Sequence, residues 1–169
     1  IRQDSQFRSQ ITPQSNGGLY TAEKGRYHLF VSLACPWAHR TMIFRKLKKL
    51  ESVIGVTLVE PKMLKNGWEI NQKSPIPNIH YLYEVYTQAQ PDYSGRVTVP
   101  GLWDKKIDTI VNNESADIIR MLNSAFNEFT PVTTDYYPKD KHAEIDTLNE
   151  LIYNTVNNGV YKCGFATTQ

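Results

Sequence analysis

The segment Arg26-Tyr27-His28-Leu29-Phe30-Val31-Ser32-Leu33-Ala34-Cys35-Pro36-Trp37-Ala38-His39-Arg40 changes character halfway. Its first eight residues are rich in aromatic and β-branched side chains, the composition of a strand. From Pro36 to Leu50 the spacing turns helical, through Ala38, Ile43, Leu47 and Leu50. Proline suits the first turn of a helix, where its missing N–H costs nothing. Gly55-Val56-Thr57-Leu58-Val59-Glu60 then reads as a second strand, stopped by Pro61. The order strand, helix, strand predicts a βαβ unit.

Upstream, residues 1–25 carry Pro13, Gly17, Gly18 and Gly25 and read as an irregular arm with no functional signal. Downstream, 61–95 hold four prolines among polar and aromatic residues. They read as a long, partly ordered insertion, of a length that points to function. Val97-Thr98-Val99-Pro100-Gly101-Leu102-Trp103-Asp104 and Ile107-Asp108-Thr109-Ile110-Val111 flank Lys105-Lys106 and predict a hairpin, although the turn lacks glycine. Asn112-Asn113-Glu114-Ser115 precedes Ile118, Ile119, Leu122 and Phe126, one face of a helix. The asparagines are expected to cap it, with Glu114 in the first turn. Residues 127–140 read as a linker. Residues 141–157 regain helical spacing through Ile145, Leu148, Ile152 and Val156, and Asn157-Asn158-Gly159 suggests a left-handed cap. A lone helix after a linker has no partner for its apolar face, so 141–169 are expected to begin a second, helical domain.

A cysteine between a strand and a helix meets unpaired N–H groups and the positive end of the helix dipole, which favour thiolate. His39 and Arg40 are expected to add positive field. A thiolate is the nucleophile of disulfide exchange and of attack on thioethers. Ala38 occupies the place of the second cysteine in a Cys-x-x-Cys motif, so a mixed disulfide on Cys35 needs an external thiol. The plain alternative is an ordinary buried cysteine. Val99-Pro100 before the hairpin fits a cis-proline that presents backbone to a peptide-like ligand. Its alternative is a trans proline at a strand edge. The Glu114-Ser115 helix start fits an anion or ammonium site, or simply a cap. Asn113-Glu114-Ser115 also matches the N-glycosylation tripeptide, a pattern that chance often supplies. The three signals occur together, in the order one ligand site requires.

The formal net charge is +2, from 19 basic and 17 acidic side chains, which gives no electrostatic basis for a nucleic-acid partner. No apolar run approaches the roughly 20 residues of a membrane span. Two distant cysteines do not make a disulfide scaffold, so a reducing, cytoplasmic compartment is expected. Cys35 and His39 lack a third ligand, which argues against a metal.

The stretches Leu33-Ala34-Cys35-Pro36-Trp37-Ala38-His39-Arg40-Thr41, Gly95-Arg96-Val97-Thr98-Val99-Pro100, Leu102-Trp103-Asp104-Lys105-Lys106, Asn113-Glu114-Ser115-Ala116-Asp117-Ile118-Ile119-Arg120 and Asn158-Gly159-Val160-Tyr161-Lys162-Cys163-Gly164-Phe165-Ala166 resemble the xi-class glutathione transferases. These are the glutathionyl-hydroquinone reductases, close to the omega class. The resemblance runs over nearly the whole chain. It implies an α/β fold: a thioredoxin-like glutathione-binding domain over 26–126, followed by the start of an all-α C-terminal domain. It implies Cys35 as nucleophile and Tyr161 as general acid. It places glutathione against Trp68, Arg96, Val97, Thr98, Val99, Glu114 and Ser115, beside a structural cis-Pro100. It further implies glutathione as co-substrate without a metal, aromatic glutathionyl conjugates as partners, and a homodimer. The family's C-terminal domain is represented only by its beginning, so these 169 residues are not expected to be a competent enzyme alone. Two rivals share the cysteine: an omega-like thioltransferase or dehydroascorbate reductase, and a non-catalytic glutathione-binding module. Trp68 and Asn158-Gly159-Val160-Tyr161 favour the hydroquinone reductase.

Overall fold

Strand β1 (Tyr27–Val31) is buried along its whole length, which makes it the centre of the sheet. The computed structural model describes residues 4–168. β1 runs parallel to β2 (Gly55–Leu58) and antiparallel to β3 (Gly101–Asp104), with Leu29 opposite Val56 on one side and Leu102 on the other. β3 pairs antiparallel with β4 (Thr109–Asn112), giving the order β2-β1-β3-β4. The parallel crossover is made by α1 (Pro36–Leu47), so the βαβ unit is present. α1 packs beside α3 (Ser115–Ser124), and α2 (Leu82–Ala89) packs on β4. This mixed four-stranded sheet with helices is the thioredoxin-like arrangement.

The apolar spacing of α1 misleads in part. Ile43 and Leu47 are 42% exposed, whereas Trp37, Ala38 and Thr41 are buried. The helix ends at Leu47. Lys49 takes a positive φ of 49°, and the Leu50 N–H bonds the Arg45 carbonyl. Leu50 is therefore buried by the chain folding back, not by extending a helical face. The hairpin turn finds its left-handed residue in Asp108 (φ 48°), a role aspartate tolerates without glycine.

Residues 61–95 are more regular than a partly ordered insertion, because they contain α2. The Glu84 carboxylate accepts the N–H groups of His80 and Tyr81, both at 2.7 Å, and so closes its first turn. Within the described part of the arm, residues 4–25, Phe7 to Ser9 run beside β4 and the residue after it, and Thr12 pairs with Thr21. Asn113 N–H bonds Phe7 O, Ser9 N–H bonds Val111 O, and Ile11 and Ala22 enter the core. Residues 1–3 and 169 lie outside the described residues.

The chain divides into two units between Thr134 and Asp135, inside the stretch read as a linker. Residues ahead of the division belong to the first unit: Thr130 Oγ1 donates to Lys48 O, and Lys48 Nζ to Thr134 O at 3.0 Å. The second unit holds α4 (His142–Ile152), one wide π-type turn (Tyr153–Asn157) and α5 (Asn158–Gly164). Gly159 does not cap a helix; it lies inside α5, which continues to Gly164. None of the described residues of this unit is buried, and Leu148, Leu151 and Val156 are more than half exposed.

Candidate functional site

Cys35 is the N-cap of α1 and is half-buried. Its side chain makes no capping bond to the helix, so the sulfur is not consumed as a cap. Instead Sγ–H points to the Val99 carbonyl at 3.5 Å. Val99 is buried, and its bond to Pro100 is cis. The sulfur thus sits where the start of a helix and the Val99-Pro100 loop meet.

That loop is held from below by Tyr86 of α2, a residue the sequence does not single out. The Tyr86 hydroxyl donates to Thr98 O at 2.7 Å and accepts the Thr98 N–H at 3.3 Å. It also accepts from Asn113 Nδ2 at 3.3 Å. Burial pushes this phenol above its ordinary pKa, against the pull of its hydrogen bonds, so it stays a proton donor. Asn113 is buried and fully engaged, its Oδ1 accepting the Phe7 N–H at 3.2 Å. A buried, bonded amide is no glycan acceptor in this fold.

The helix start after Asn113 differs from the expected cap. Glu114 itself is the N-cap of α3, its Oε1 accepting the Ala116 N–H at 3.1 Å. Asn112 Oδ1 accepts the Glu114 N–H one step earlier, at 2.7 Å. Arg40 does not act as a free positive field beside the thiol. Its guanidinium donates to Ser115 Oγ at 2.7 and 3.0 Å and lies 3.6 Å from Glu114 Oε1. It also stacks over the Trp37 ring, 4.9 Å from the centroid. Contacts therefore close a ring. From Cys35 they run through the Val99 loop, Tyr86 and Asn113 to Glu114 and Ser115, and return to α1 at Arg40. A ring of short contacts fixes each group without waiting for a ligand.

Trp68 is half-buried and meets Val97 in a shallow hollow of about 240 Å³, with Met63, Asn66 and Tyr83 on its walls. The turn that presents Trp68 needs Gly67, whose φ of +83° suits glycine alone. Arg96 has an exposed side chain, while its carbonyl accepts from Tyr93 Oη at 2.8 Å. Tyr161 belongs to the second unit, on α5, 40% exposed and stacked on Phe165. The first unit thus brings Cys35 to Val99, Glu114 to Ser115 and Arg40, and Trp68 to Val97.

Among the described residues, no three His, Cys, Asp or Glu side chains group to hold a metal ion, and no helix is long and apolar enough to cross a membrane. Both cysteines are unbridged.

The pattern of the glutathione S-transferase N-terminal domain matches residues 34–125, which contain the whole ring of contacts. The chain is 54% identical over 180 residues to the glutathionyl-hydroquinone reductase YqjG of Escherichia coli K12; the match takes in 99% of the chain and 55% of that protein. Among solved structures, the Xi glutathione S-transferase of Phanerochaete chrysosporium superposes with a TM-score of 0.92 at 51% identity, covering 100% of this chain and 59% of that one. Glutathione-bound YqjG superposes with a TM-score of 0.89 at 54% identity, covering 96% and 56%. The chain spans little more than half the length of these relatives. Its site is built on the same domain, and the chain belongs to the glutathione S-transferase family, with its relatives among the Xi-class transferases and glutathionyl-hydroquinone reductases.

Proposed function

We propose that the protein is a glutathione-dependent enzyme that reduces glutathionyl-hydroquinones to hydroquinones through Cys35. The observation that carries this reading is an uncapped, half-buried cysteine at a helix start, set against the Val99 carbonyl. The similarity to YqjG, itself a glutathionyl-hydroquinone reductase, supports the choice of substrate.

The Cys35 thiolate attacks the sulfur of the conjugate. The sulfur–carbon bond breaks, and its electron pair stays on the aromatic carbon, which takes a proton. Tyr161 is the proposed donor of that proton. Hydroquinone leaves, and Cys35 carries glutathione as a mixed disulfide. A second glutathione thiolate then attacks this disulfide, releasing oxidised glutathione and restoring Cys35. The two sulfurs are oxidised by two electrons and the carbon is reduced by two. Ala38 stands where a resolving cysteine would, so the second thiol comes from solution.

In this reading the tripeptide lies along 96–99, its backbone paired with that of Val97 and Val99, while Tyr86 holds the backbone of Thr98 between them. Glu114 and Ser115 hold the γ-glutamyl end, Arg96 meets a carboxylate, and Trp68 packs on the peptide. Glutathione is the co-substrate, aromatic glutathionyl conjugates are the partners, and the working form is a cytoplasmic homodimer with no metal.

A single turnover tests the chemistry. Full-length protein is mixed with a glutathionyl-hydroquinone and no free glutathione, then analysed by intact-mass and peptide mass spectrometry. One glutathione on the Cys35 peptide and one equivalent of hydroquinone are expected. A conjugate that stays whole, while a small glutathione mixed disulfide reacts readily, would move the assignment to an omega-like thioltransferase. Glutathione that binds without any reaction at Cys35 would leave a binding module.

A further inference from the structure

The carboxylate of Glu114 is held on both oxygens, from two different directions. Oε1 faces α3 and α1, accepting from Ala116 N–H and approached by Arg40. Oε2 faces the N-terminal arm, where Ser5 Oγ lies 3.2 Å away. The same hydroxyl reaches Asn113 O at 3.3 Å. A hydroxyl carries one hydrogen, and the negatively charged oxygen is its stronger acceptor.

Three neighbours fix the arm in that place. Phe7 exchanges backbone bonds with Asn113, receiving at its carbonyl from Asn113 N–H and donating its own N–H to Asn113 Oδ1. The Phe7 ring packs edge-on to Tyr86 and stacks with Tyr93. Arg8 forms a bidentate pair with Asp117 in the first turn of α3, at 2.6 and 3.0 Å. Gln6 Nε2 reaches Ser94 O at 3.3 Å, at the foot of the loop that carries 96–99. Four consecutive arm residues therefore grip the two segments that flank the glutathione path. A generic structural arm would have no reason to place the one hydroxyl of residues 5–8 on the carboxylate oxygen that the helix leaves over.

We propose that residues 5–8 are a positioning strap for the γ-glutamyl subsite, and that Ser5 sets the rotamer in which Glu114 receives the ligand's ammonium group. This rests on Glu114 holding that group. Ser5 acts through Glu114 and does not itself take part in the reaction.

The test uses full-length protein and two ligands, glutathione and its N-acetyl derivative, which lacks the ammonium charge. Binding is followed by tryptophan fluorescence, with thermal midpoints measured in parallel. Glu114→Gln comes first, and it should weaken glutathione selectively. If both ligands bind that variant as they bind wild type, the assignment of Glu114 fails, and the inference fails with it. Given a selective loss, Ser5→Ala should weaken glutathione about five-fold, the net worth of one ordinary hydrogen bond. It should leave the N-acetyl form and the thermal midpoint unchanged, and Ser5→Thr should restore affinity. In the double variant Ser5→Ala should add nothing to Glu114→Gln. Unchanged glutathione affinity in Ser5→Ala, or equal weakening of both ligands, overturns the strap while leaving the subsite reading intact.

Discussion

The smallest part that holds the site together is one hydroxyl. Tyr86 bonds both backbone groups of Thr98 and the side chain of Asn113, so it ties the Val99 loop to the start of α3. Tyr86→Phe removes all three bonds but keeps the ring packed. We expect a stability loss of about 1–2 kcal/mol, since the groups left behind are partly buried. We expect a larger relative effect on glutathione affinity, about three- to tenfold, because the loop that pairs with the peptide loses its anchor. Urea denaturation and a binding titration on the same variant check both. Affinity equal to wild type would show that the loop needs no such anchor. Cys35, Val99-Pro100 and Glu114-Ser115 are legible in the sequence because each is an unusual residue at an element boundary. Tyr86 is not, since it is one tyrosine among 10 and its second partner is 27 residues away. Ser5 is hidden for the same reason, 109 residues from Glu114.

At the scale of elements, β1 and β2 show how a small residue admits a large one. A Cβ at Gly55 would fall 2.4 Å from His28 Nδ1, so the parallel pairing needs glycine there. His28 is buried, with Nε2 2.8 Å from Thr57 Oγ1. Thr57 spends its own proton on Lys73 O, so His28 is the donor and the neutral Nε2–H tautomer is the bonded form. Burial first, then Lys105 and Arg45, lowers its pKa from 6.5 to about 4. The folded chain therefore resists a proton that the unfolded chain takes. Stability is full above the unfolded value near 6.5 and falls as pH drops towards 4, by on the order of 3 kcal/mol from this residue. Urea midpoints between pH 7 and pH 4 should fall more steeply for wild type than for His28→Gln. Parallel curves would contradict this. The strands and α3 were readable because their cores are apolar runs or a clear periodicity, and α1 because Pro36 marks its first turn. α2 was obscured by prolines on both sides and by tyrosine, valine and threonine, all poor helix formers. The signal that could have found it is the spacing of Leu82, Val85 and Tyr86, its buried face, with Glu84 in the first turn.

At the scale of the molecule, the arm, β1 and the hairpin are joined by one buried ion pair. Arg26 donates to both oxygens of Asp104, and also to Glu23 and to Leu19 O. Asp104 in turn accepts the Lys106 N–H that closes the hairpin turn. This pair spans 78 residues, so the role of Arg26 could not be seen in its neighbourhood. Such pairs stabilise little relative to apolar packing, but they fix which segments meet. None of the described residues of the second unit is buried, and the chain spans little more than half the length of its relatives. Periodicity alone makes α4 visible in the sequence. The account turns on the Cys35 sulfur. The decisive measurement is product analysis by mass spectrometry after full-length wild type and Cys35→Ser meet a glutathionyl-hydroquinone with excess glutathione. The account predicts free hydroquinone and oxidised glutathione with wild type. It predicts neither above background with Cys35→Ser, although that variant still binds glutathione. Undiminished turnover by Cys35→Ser would contradict it.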